Sequence, residues 1–196
     1  MINGLPYDAA ADGLPEERAK AKILCKKLNE SDTYDRDEMH AVLHELLGRH
    51  GERFWIEPPF RCDYGRNIEV GESFYANYNL VILDCAKVKI GDRVLIGPNV
   101  CITTAGHPIH PLSRSKYEYA FPVTIESDVW IGANVVINPG VTVGEGSVIG
   151  SGSVVTGNIP PRVVAAGNPC RVLREITDDD IDLYYKDRHF DVDDYR

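Results

Sequence analysis

The chain has 196 residues and a formal net charge of −9. Its length fits one domain with its own core, and the negative charge argues against a surface for nucleic acid or anionic membrane. No apolar run approaches the roughly 20 residues that span a bilayer, and five scattered cysteines without a CxxC pair predict free thiols. Since the N-terminus lacks a cationic and then apolar leader, we expect a cytoplasmic protein.

Residues 1–53 are predicted to form a two-helix N-terminal segment. Pro15 and the acidic residues after it suit the first turn of a helix. The apolar face of this helix comprises Ala21, Leu24, Cys25 and Leu28. A second helix is predicted from Asp35 to Leu47, ended by Gly48 or Gly51. Its inward residues are Met39, Val42, Leu43, Leu46 and Leu47.

Residues 54–176 carry a six-residue period that is clearest from Ile125 to Thr156. An aliphatic residue starts each hexad there, at Ile125, Ile131, Ile137, Val143, Ile149 and Val155. A helix repeats its apolar residues every 3.6 positions and a strand every 2, so neither explains this pattern. A six-residue unit with one inward aliphatic side chain and small partners predicts the coils of a parallel β-helix. We therefore predict a mainly β protein.

The period fails between Ile102 and Ile125. The two residues are 23 positions apart, which is not a multiple of six. Residues 103–122 are therefore predicted to leave the coil as a loop excursion that carries two histidines, one arginine and two tyrosines. Long loops on rigid repeat scaffolds are usually functional or disordered, and this content favours function.

The repeat stops at Ile159, and the residues up to 176 are predicted to close the end of the β-helix. Residues 177–196 form an acidic tail. We predict a short C-terminal helix from Asp178 to Lys186 and fraying from Asp191 to Arg196. The tail is interpreted as a solvated face or a subunit contact, because it lacks the glycine-centred spacing of a calcium loop.

Five motifs in this order resemble those of one enzyme family. They are Phe74–Leu80, Thr104–Pro111, Val129–Ala133, Ile137–Val141 and Ala166–Val172. Together they resemble the galactoside and maltose O-acetyltransferases of the hexapeptide-repeat family. The resemblance implies transfer of acetyl from acetyl-CoA to a sugar hydroxyl. It also implies a left-handed parallel β-helix that assembles as a homotrimer, with active sites between neighbouring subunits.

The chemistry requires a general base and a donor for the thioester oxyanion. A sugar hydroxyl is a poor nucleophile at neutral pH, and an imidazole with an unperturbed pKa of about 6.5 can take its proton. By resemblance, His107 is the catalytic base and Asn77 stabilises the transition state. The expected mechanism is direct attack in a ternary complex. His110 is interpreted either as an acceptor contact or as a solvated loop residue.

The resemblance also implies an acceptor pocket. Its residues are Asp63, Tyr75, Asn77 and His107, with Arg18 and Asp8 added from the N-terminal segment. Galactoside enzymes carry a second acid after Asp84, where this chain has Cys85. A thiol does not replace a carboxylate as an acceptor of two hydroxyl hydrogen bonds. This substitution at the substrate-binding position weakens the case for a galactoside but leaves acetyl transfer unaffected.

Acetyl-CoA is the implied cosubstrate. The family's cofactor positions map onto Ala133, Ser151, Thr156, Gly157, Arg171 and Arg174. The two arginines would offer forked donors to phosphate, or else form a surface pair that faces the acidic tail. Gly157 replaces a lysine that is usual in the relatives, which implies a weaker affinity for CoA.

No metal is expected to be required. His40 and His44 lie four apart on the second predicted helix and could chelate a metal ion, but no acidic third ligand is placed beside them. We therefore interpret them as surface histidines. A carbonic-anhydrase-like enzyme would need three convergent histidines across a subunit interface, and the excursion supplies only two.

Two alternatives keep the same fold. Antibiotic or xenobiotic O-acetyltransferases usually have a larger excursion and lack the two-helix segment. A catalytically silent scaffold would have little use for His107, Asn77 and the arginine pair together. We therefore predict a sugar O-acetyltransferase that uses acetyl-CoA, with no nucleic-acid or membrane partner.

Overall fold

The computed structural model describes residues 1, 4–11, 13–31 and 36–190. In this part of the chain, two helices precede a three-faced parallel β-helix and a C-terminal antiparallel extension. No helix among these residues is long and apolar enough to cross a membrane. All five cysteines are free thiols.

The two N-terminal helices cover the first coil of the β-helix. Helix α1 (Leu14–Asn29) begins after Gly13, whose φ is 86°, and packs on helix α2 (Arg36–Leu46) and on the strand Phe60–Cys62. Asp35, the predicted start of α2, lies outside the described residues. The core-facing residues Ala21, Cys25, Leu28, Met39, Val42, Leu43, Leu46 and Leu47 are buried as predicted, and Leu24 is partly buried against them.

Gly48 fixes the turn from the helices into the β-helix. Its N–H donates to the carbonyl of Ile68 at 3.0 Å. A Cβ at this position would lie 2.0 Å from the carbonyl oxygen of Arg66. Only glycine therefore permits this close approach, which agrees with the predicted end of α2.

Three parallel sheets form the faces of the β-helix, and the chain visits them in turn. The first face contains the strands Phe54–Ile56, Phe74–Ala76, Leu95–Ile96, Trp130–Ile131, Val148–Ile149 and Val163–Ala166. The second face contains Phe60–Cys62, Leu80–Leu83, Cys101–Thr103, Val136–Ile137 and Val154–Val155. The third face contains Ile68–Val70, Val88–Ile90, Val123–Ile125 and Thr142–Val143.

The aliphatic hexad residues stack into the core. Ile131 pairs with Ile149, which is 18 positions later, so three hexads make one coil. The six residues that start the hexads are each at most 1% exposed, and a fully buried aliphatic side chain contributes about 1.5–3 kcal/mol. Because each coil has 18 residues, residues that are 18 positions apart fall on the same face and lie beside each other in its parallel sheet. The predicted parallel β-helix is confirmed.

The C-terminal part differs from the prediction. Strand Arg171–Glu175 runs antiparallel to Val163–Ala166 and closes the first face. The predicted helix over 178–186 is limited to one 3-10 turn, Asp178–Asp180, and Leu183–Tyr185 pairs with Arg188–His189 in a hairpin. Adjacent tyrosines favour strand, and Lys186 takes a left-handed φ of 52° in the turn. The tail from 191 lies outside the described residues.

Candidate active site

Polar residues collect at the corner where the second face turns into the third, here called the acceptor corner. In three successive coils this turn carries Asp63, then Cys85, then the excursion that begins after Thr103. The strands that deliver these turns are in register, with Cys62 beside Ile82 and Ile82 beside Ile102. The parallel ladder therefore stacks the three turns directly above one another.

The excursion is an antiparallel hairpin with a short helix at its tip. Strand Ala105–Gly106 pairs with Tyr119–Ala120, and helix α3 (Pro111–Arg114) lies between them. His110 caps α3, because its Nδ1 accepts the N–H of Leu112 at 3.3 Å. His107 follows the first strand, and its side chain is 53% exposed. The hairpin therefore presents His107 above the acceptor corner and gives His110 a local structural role.

Arg18 ties α1 to this corner. Its Nη1 donates to the hydroxyl of Tyr64 at 2.7 Å, and its Nη2 donates to the carbonyl of Ala9 at 2.7 Å. The Cys85 thiol donates to Oδ2 of Asp63 at 3.5 Å. Burial raises the pKa of Cys85 to about 12, so at pH 7 this thiol is neutral and keeps its proton. Arg18, Asp63 and Cys85, predicted by resemblance, are thus brought together.

Asp8 is placed near this group by the N-terminal segment but holds its own turn. Its Oδ1 accepts the N–H of Ala10 at 2.8 Å, and the side chain is exposed. The neighbouring Ala9 carbonyl is the group that binds Arg18. The segment is thereby fixed to the acceptor corner through its backbone.

Asp84 forms the floor of the corner. Its Oδ1 accepts the N–H groups of Asp63 at 3.0 Å and Tyr64 at 2.9 Å, and its Oδ2 is buried without a partner. Burial raises the pKa of this carboxyl from 3.8 to about 6. Between these two pH values the folded protein holds a proton that the unfolded chain has released. This group therefore makes stability fall as the pH rises through that window.

We expect the substitution Asp84→Asn to remove this pH dependence. The free energy of unfolding of the variant relative to the wild type should rise by about 2 kcal/mol between pH 4 and pH 7, because the penalty for ionising a buried carboxyl is lost. Urea unfolding at the two pH values, at one protein concentration, measures this change. Identical pH dependence in the two proteins would contradict the assignment.

Asn77 lies at a different corner, where the first face turns into the second. Its Oδ1 accepts the N–H of Tyr78 at 2.7 Å, which leaves Nδ2 as a donor. Asn79 instead takes the left-handed conformation, with a φ of 64°, and donates to Asn99 at 3.0 Å. Asn79 is therefore the structural asparagine of this turn. Tyr75 lies on the outer side of the first face, partly buried.

The predicted acetyl-CoA residues occupy the later coils. Ala133 and Ser151 share the corner of Asn77, and the Ala133 N–H donates to Ser151 Oγ at 3.1 Å. Thr156 and Gly157 are exposed and follow the last strand of the second face. Along the axis, the acceptor corner therefore spans the first three coils, and these four predicted cofactor positions lie in the fourth and fifth.

The two arginines lie on the closing strand. Arg174 holds both oxygens of Asp180 at 2.8 Å through Nη1 and Nη2. Arg171 donates from Nη1 to the carbonyl of Cys170 at 2.8 Å. Arg174 thus forms the surface pair with the acidic tail, and a phosphate would have to replace Asp180.

One chain does not bring Asn77 and Tyr75 to His107. Asn77 and His107 lie at the two edges of the second face and Tyr75 lies on the first face, whereas Asp63 and Cys85 share the corner of His107.

His40 Nδ1 and His44 Nε2 are 2.7 Å apart on α2. Among the described residues, no three His, Cys, Asp or Glu side chains are grouped to hold a metal ion.

Sequence reasoning missed Glu118 and Tyr7. Glu118 Oε1 lies 4.0 Å from His107 Nε2, and the Tyr7 hydroxyl donates to Glu118 Oε2 at 2.9 Å. The one sequence signal for Glu118 was the excursion, because a segment that leaves and rejoins the coil as a hairpin pairs its last residues with its first residues. The register within that hairpin is not readable from the hexad period.

Comparison with known families agrees with the repeat and the N-terminal segment. Residues 122–157 match the family model described as bacterial transferase hexapeptide (six repeats). Residues 1–51 match the maltose acetyltransferase hexapeptide capping motif, and residues 87–109 match the hexapeptide repeat of succinyl-transferase.

Individual relatives are similar over nearly the whole chain. Galactoside O-acetyltransferase of Escherichia coli (strain K12) is 51% identical over 94% of this chain and 91% of its own. A structure of galactoside acetyltransferase in complex with coenzyme A superposes with a TM-score of 0.94, at 48% identity, covering 97% of this chain and 96% of that one. A maltose O-acetyltransferase from Clostridium difficile 630 superposes with a TM-score of 0.89, at 46% identity, covering 90% and 95%.

Proposed function

The chain belongs to the hexapeptide-repeat family of galactoside and maltose O-acetyltransferases and is an acetyl-CoA-dependent O-acetyltransferase, and on that premise we propose that its acceptor is a sugar or glycoside and that His107 is the general base. The observation that carries the proposal is the acceptor corner. An exposed imidazole lies on a hairpin above Asp63 and Arg18, which are groups that hydrogen-bond hydroxyls.

The proposed reaction has one proton path. The acceptor oxygen attacks the thioester carbonyl carbon while the His107 imidazole takes the hydroxyl proton. The oxyanion accepts a hydrogen bond from Asn77 Nδ2, the C–S bond breaks, and the imidazolium returns the proton to the CoA thiolate. Cys85 is the thiol of this corner, and its pKa of about 12 makes it a poor covalent acetyl carrier.

Acetyl-CoA is proposed to lie along the β-helix axis. Coils stack about 4.8 Å apart, so a thioester held between the His107 of one chain and the Asn77 of a neighbouring copy places the pantetheine beside that copy's Ala133 and Ser151. The phosphates then reach the closing strand with Arg171 and Arg174. The order of these residues along the axis matches the order of groups along the cosubstrate.

A thiol-release assay over a panel of acceptors tests this function. We expect CoA release that depends on monosaccharides, disaccharides, glucosides or galactosides. Release with antibiotic alcohols alone would overturn the sugar acceptor. Absence of release with every hydroxyl compound, in protein that binds CoA, would overturn the proposed reaction.

We propose that the active enzyme is a trimer with sites between neighbours. The outer side of the second face carries Val81, Cys101, Val136 and Val154, and the first face exposes Leu95 and Trp130 by 49% and 55%. The outer side of the third face carries Glu69, Lys89, Thr124 and Thr142. Two apolar faces suit contact with copies of the chain. A neighbour's Asn77 would then reach the His107 that its own chain leaves distant.

Mixing two inactive variants should restore activity. With His107→Ala and Asn77→Ala in equal amounts, about three quarters of the trimers are mixed and each has one intact site. The expected rate is therefore about a quarter of the wild-type rate. Co-expression followed by the thiol-release assay measures it, with each variant alone as control and light scattering for the trimer. A rate no higher than the sum of the controls would place both residues in one chain's site.

Adding a cation at Gly157 should strengthen CoA binding. An added Cβ meets no atom within 4 Å, so Gly157→Lys has room for the side chain. We expect a Kd for CoA roughly two- to five-fold lower, as for an exposed charge contact, with the gain lost at high salt. Calorimetry at two salt concentrations measures this, with Gly157→Gln as the uncharged control. Equal gains from both variants would exclude a phosphate contact.

A further inference from the structure

Tyr7, Glu118 and His107 lie side by side on three adjacent backbone segments. The hairpin pairs Gly106 with Tyr119 and Ala105 with Ala120, so its register continues to His107 opposite Glu118. On the other side, Tyr7 N–H donates to the Glu118 carbonyl at 3.0 Å and Glu118 N–H donates to the Tyr7 carbonyl at 2.9 Å. Cross-strand neighbours project to the same side of a sheet.

The Glu118 carboxylate is held from one side and faces the imidazole with the other. Its Oε2 accepts the Tyr7 hydroxyl at 2.9 Å, and its Oε1 lies 4.0 Å from His107 Nε2. The Glu118 side chain is 27% exposed. Burial raises the pKa of Tyr7 well above its ordinary value, so the phenol stays neutral and donates.

This arrangement suits a charge that appears during the reaction. When His107 takes the acceptor proton it becomes an imidazolium, and a carboxylate about 4 Å away favours the charged form. Screening by water is reduced on the side that Tyr7 covers, because Tyr7 is only 9% exposed. Because Tyr7 holds Oε2, the carboxylate keeps its orientation without rearranging during the proton transfer.

We propose that Glu118 is a positioning residue for His107, and that Tyr7 fixes it, so that the N-terminal segment takes part in catalysis through this pair. The inference rests on the proposed role of His107 as the base. It gives the segment 4–11 a function besides closing the acceptor corner. Deleting this segment would remove the hydrogen bond that orients the carboxylate.

The substitution Glu118→Gln tests the proposal, since it removes the charge and retains an oxygen for Tyr7. We expect kcat to fall about 10- to 100-fold with the KM for acetyl-CoA unchanged. Glu118→Asp keeps the charge and should recover part of the lost kcat. Tyr7→Phe should lower kcat less than Glu118→Gln does. Glu45→Gln, which replaces an exposed carboxylate on α2, is the matched control and should leave kcat unchanged.

A spectroscopic readout separates this inference from the proposed function. NMR of protein labelled at histidine Cε1 records the His107 signal, which Glu118→Gln should shift at a fixed pH and Glu45→Gln should not, even if the natural acceptor is unknown. An unchanged signal overturns the proposal, whatever the activity. A raised acceptor KM with unchanged kcat also overturns it and makes Glu118 an acceptor ligand. A shifted signal in an enzyme that acetylates no hydroxyl supports the contact and contradicts only the proposed function. CoA binding by each variant confirms that it is folded.

Discussion

Replacing His107 with alanine should lower the kcat of acetyl transfer about 100- to 10,000-fold, the range that a general base contributes. The imidazole lies on the excursion hairpin and makes no contact with the predicted CoA residues in the described part of its own chain. The affinity for CoA should therefore stay within about two-fold of wild type. A thiol-release assay at saturating acceptor measures kcat, and calorimetry measures CoA binding.

His110→Ala is the matched control on the same excursion. His110 caps α3 through Leu112, so its loss should affect the local helix more than the rate. We expect a rate within about three-fold of wild type. A His107→Ala variant that keeps most of its activity, or an equal loss in His110→Ala, would contradict the assignment of the base.

The substitution Asn77→Ala should lower kcat about 100- to 1,000-fold, as expected for loss of one oxyanion donor. Because the Asn77 Oδ1 is already held by the Tyr78 N–H, its Nδ2 is oriented before the substrate binds. The loss should therefore appear in kcat, with the KM of each substrate nearly unchanged. Steady-state kinetics with both substrates varied measures the two parameters separately.

Asn79→Gly is the matched control for Asn77. Asn79 takes a φ of 64°, which glycine adopts without strain, so this variant keeps the turn and removes only the ladder hydrogen bond to Asn99. Activity close to wild type is expected. If Asn77→Ala changes only KM, then Asn77 binds substrate equally in the ground state and the transition state.

The fold was predictable because its determinants are local. Each hexad places one aliphatic residue inward, and Ile131, Ile137 and Val143 are each buried as this pattern predicts. The excursion was predictable by arithmetic, since 23 positions do not fit whole hexads. The C-terminal hairpin was not, because Asp178–Asp180 begins like a helix and only the tertiary pairing of Leu183–Tyr185 decides otherwise.

For the candidate site, the sequence proposes residues but does not show their positions in space. Resemblance names His107, Asn77 and Asp63, yet the hexad period does not show that Asn77 lies at another corner. Glu118 depends on a register inside the excursion, and its partner Tyr7 is 111 positions away in the chain. Arg174 was assigned to the phosphates of CoA or to a pair with the acidic tail, and its contact with Asp180 depends on how the tail folds back.

The stacking of 18-residue coils also fixes distances along the axis of the β-helix. The excursion leaves from the third coil and the closing strand follows the sixth, so in the proposed binding mode the number of coils between them sets the distance from the thioester to the phosphates of acetyl-CoA. Inserting or deleting one coil would change that distance by about 4.8 Å while preserving every corner. We therefore expect a β-helix with a different number of coils to favour an acyl donor of a different length.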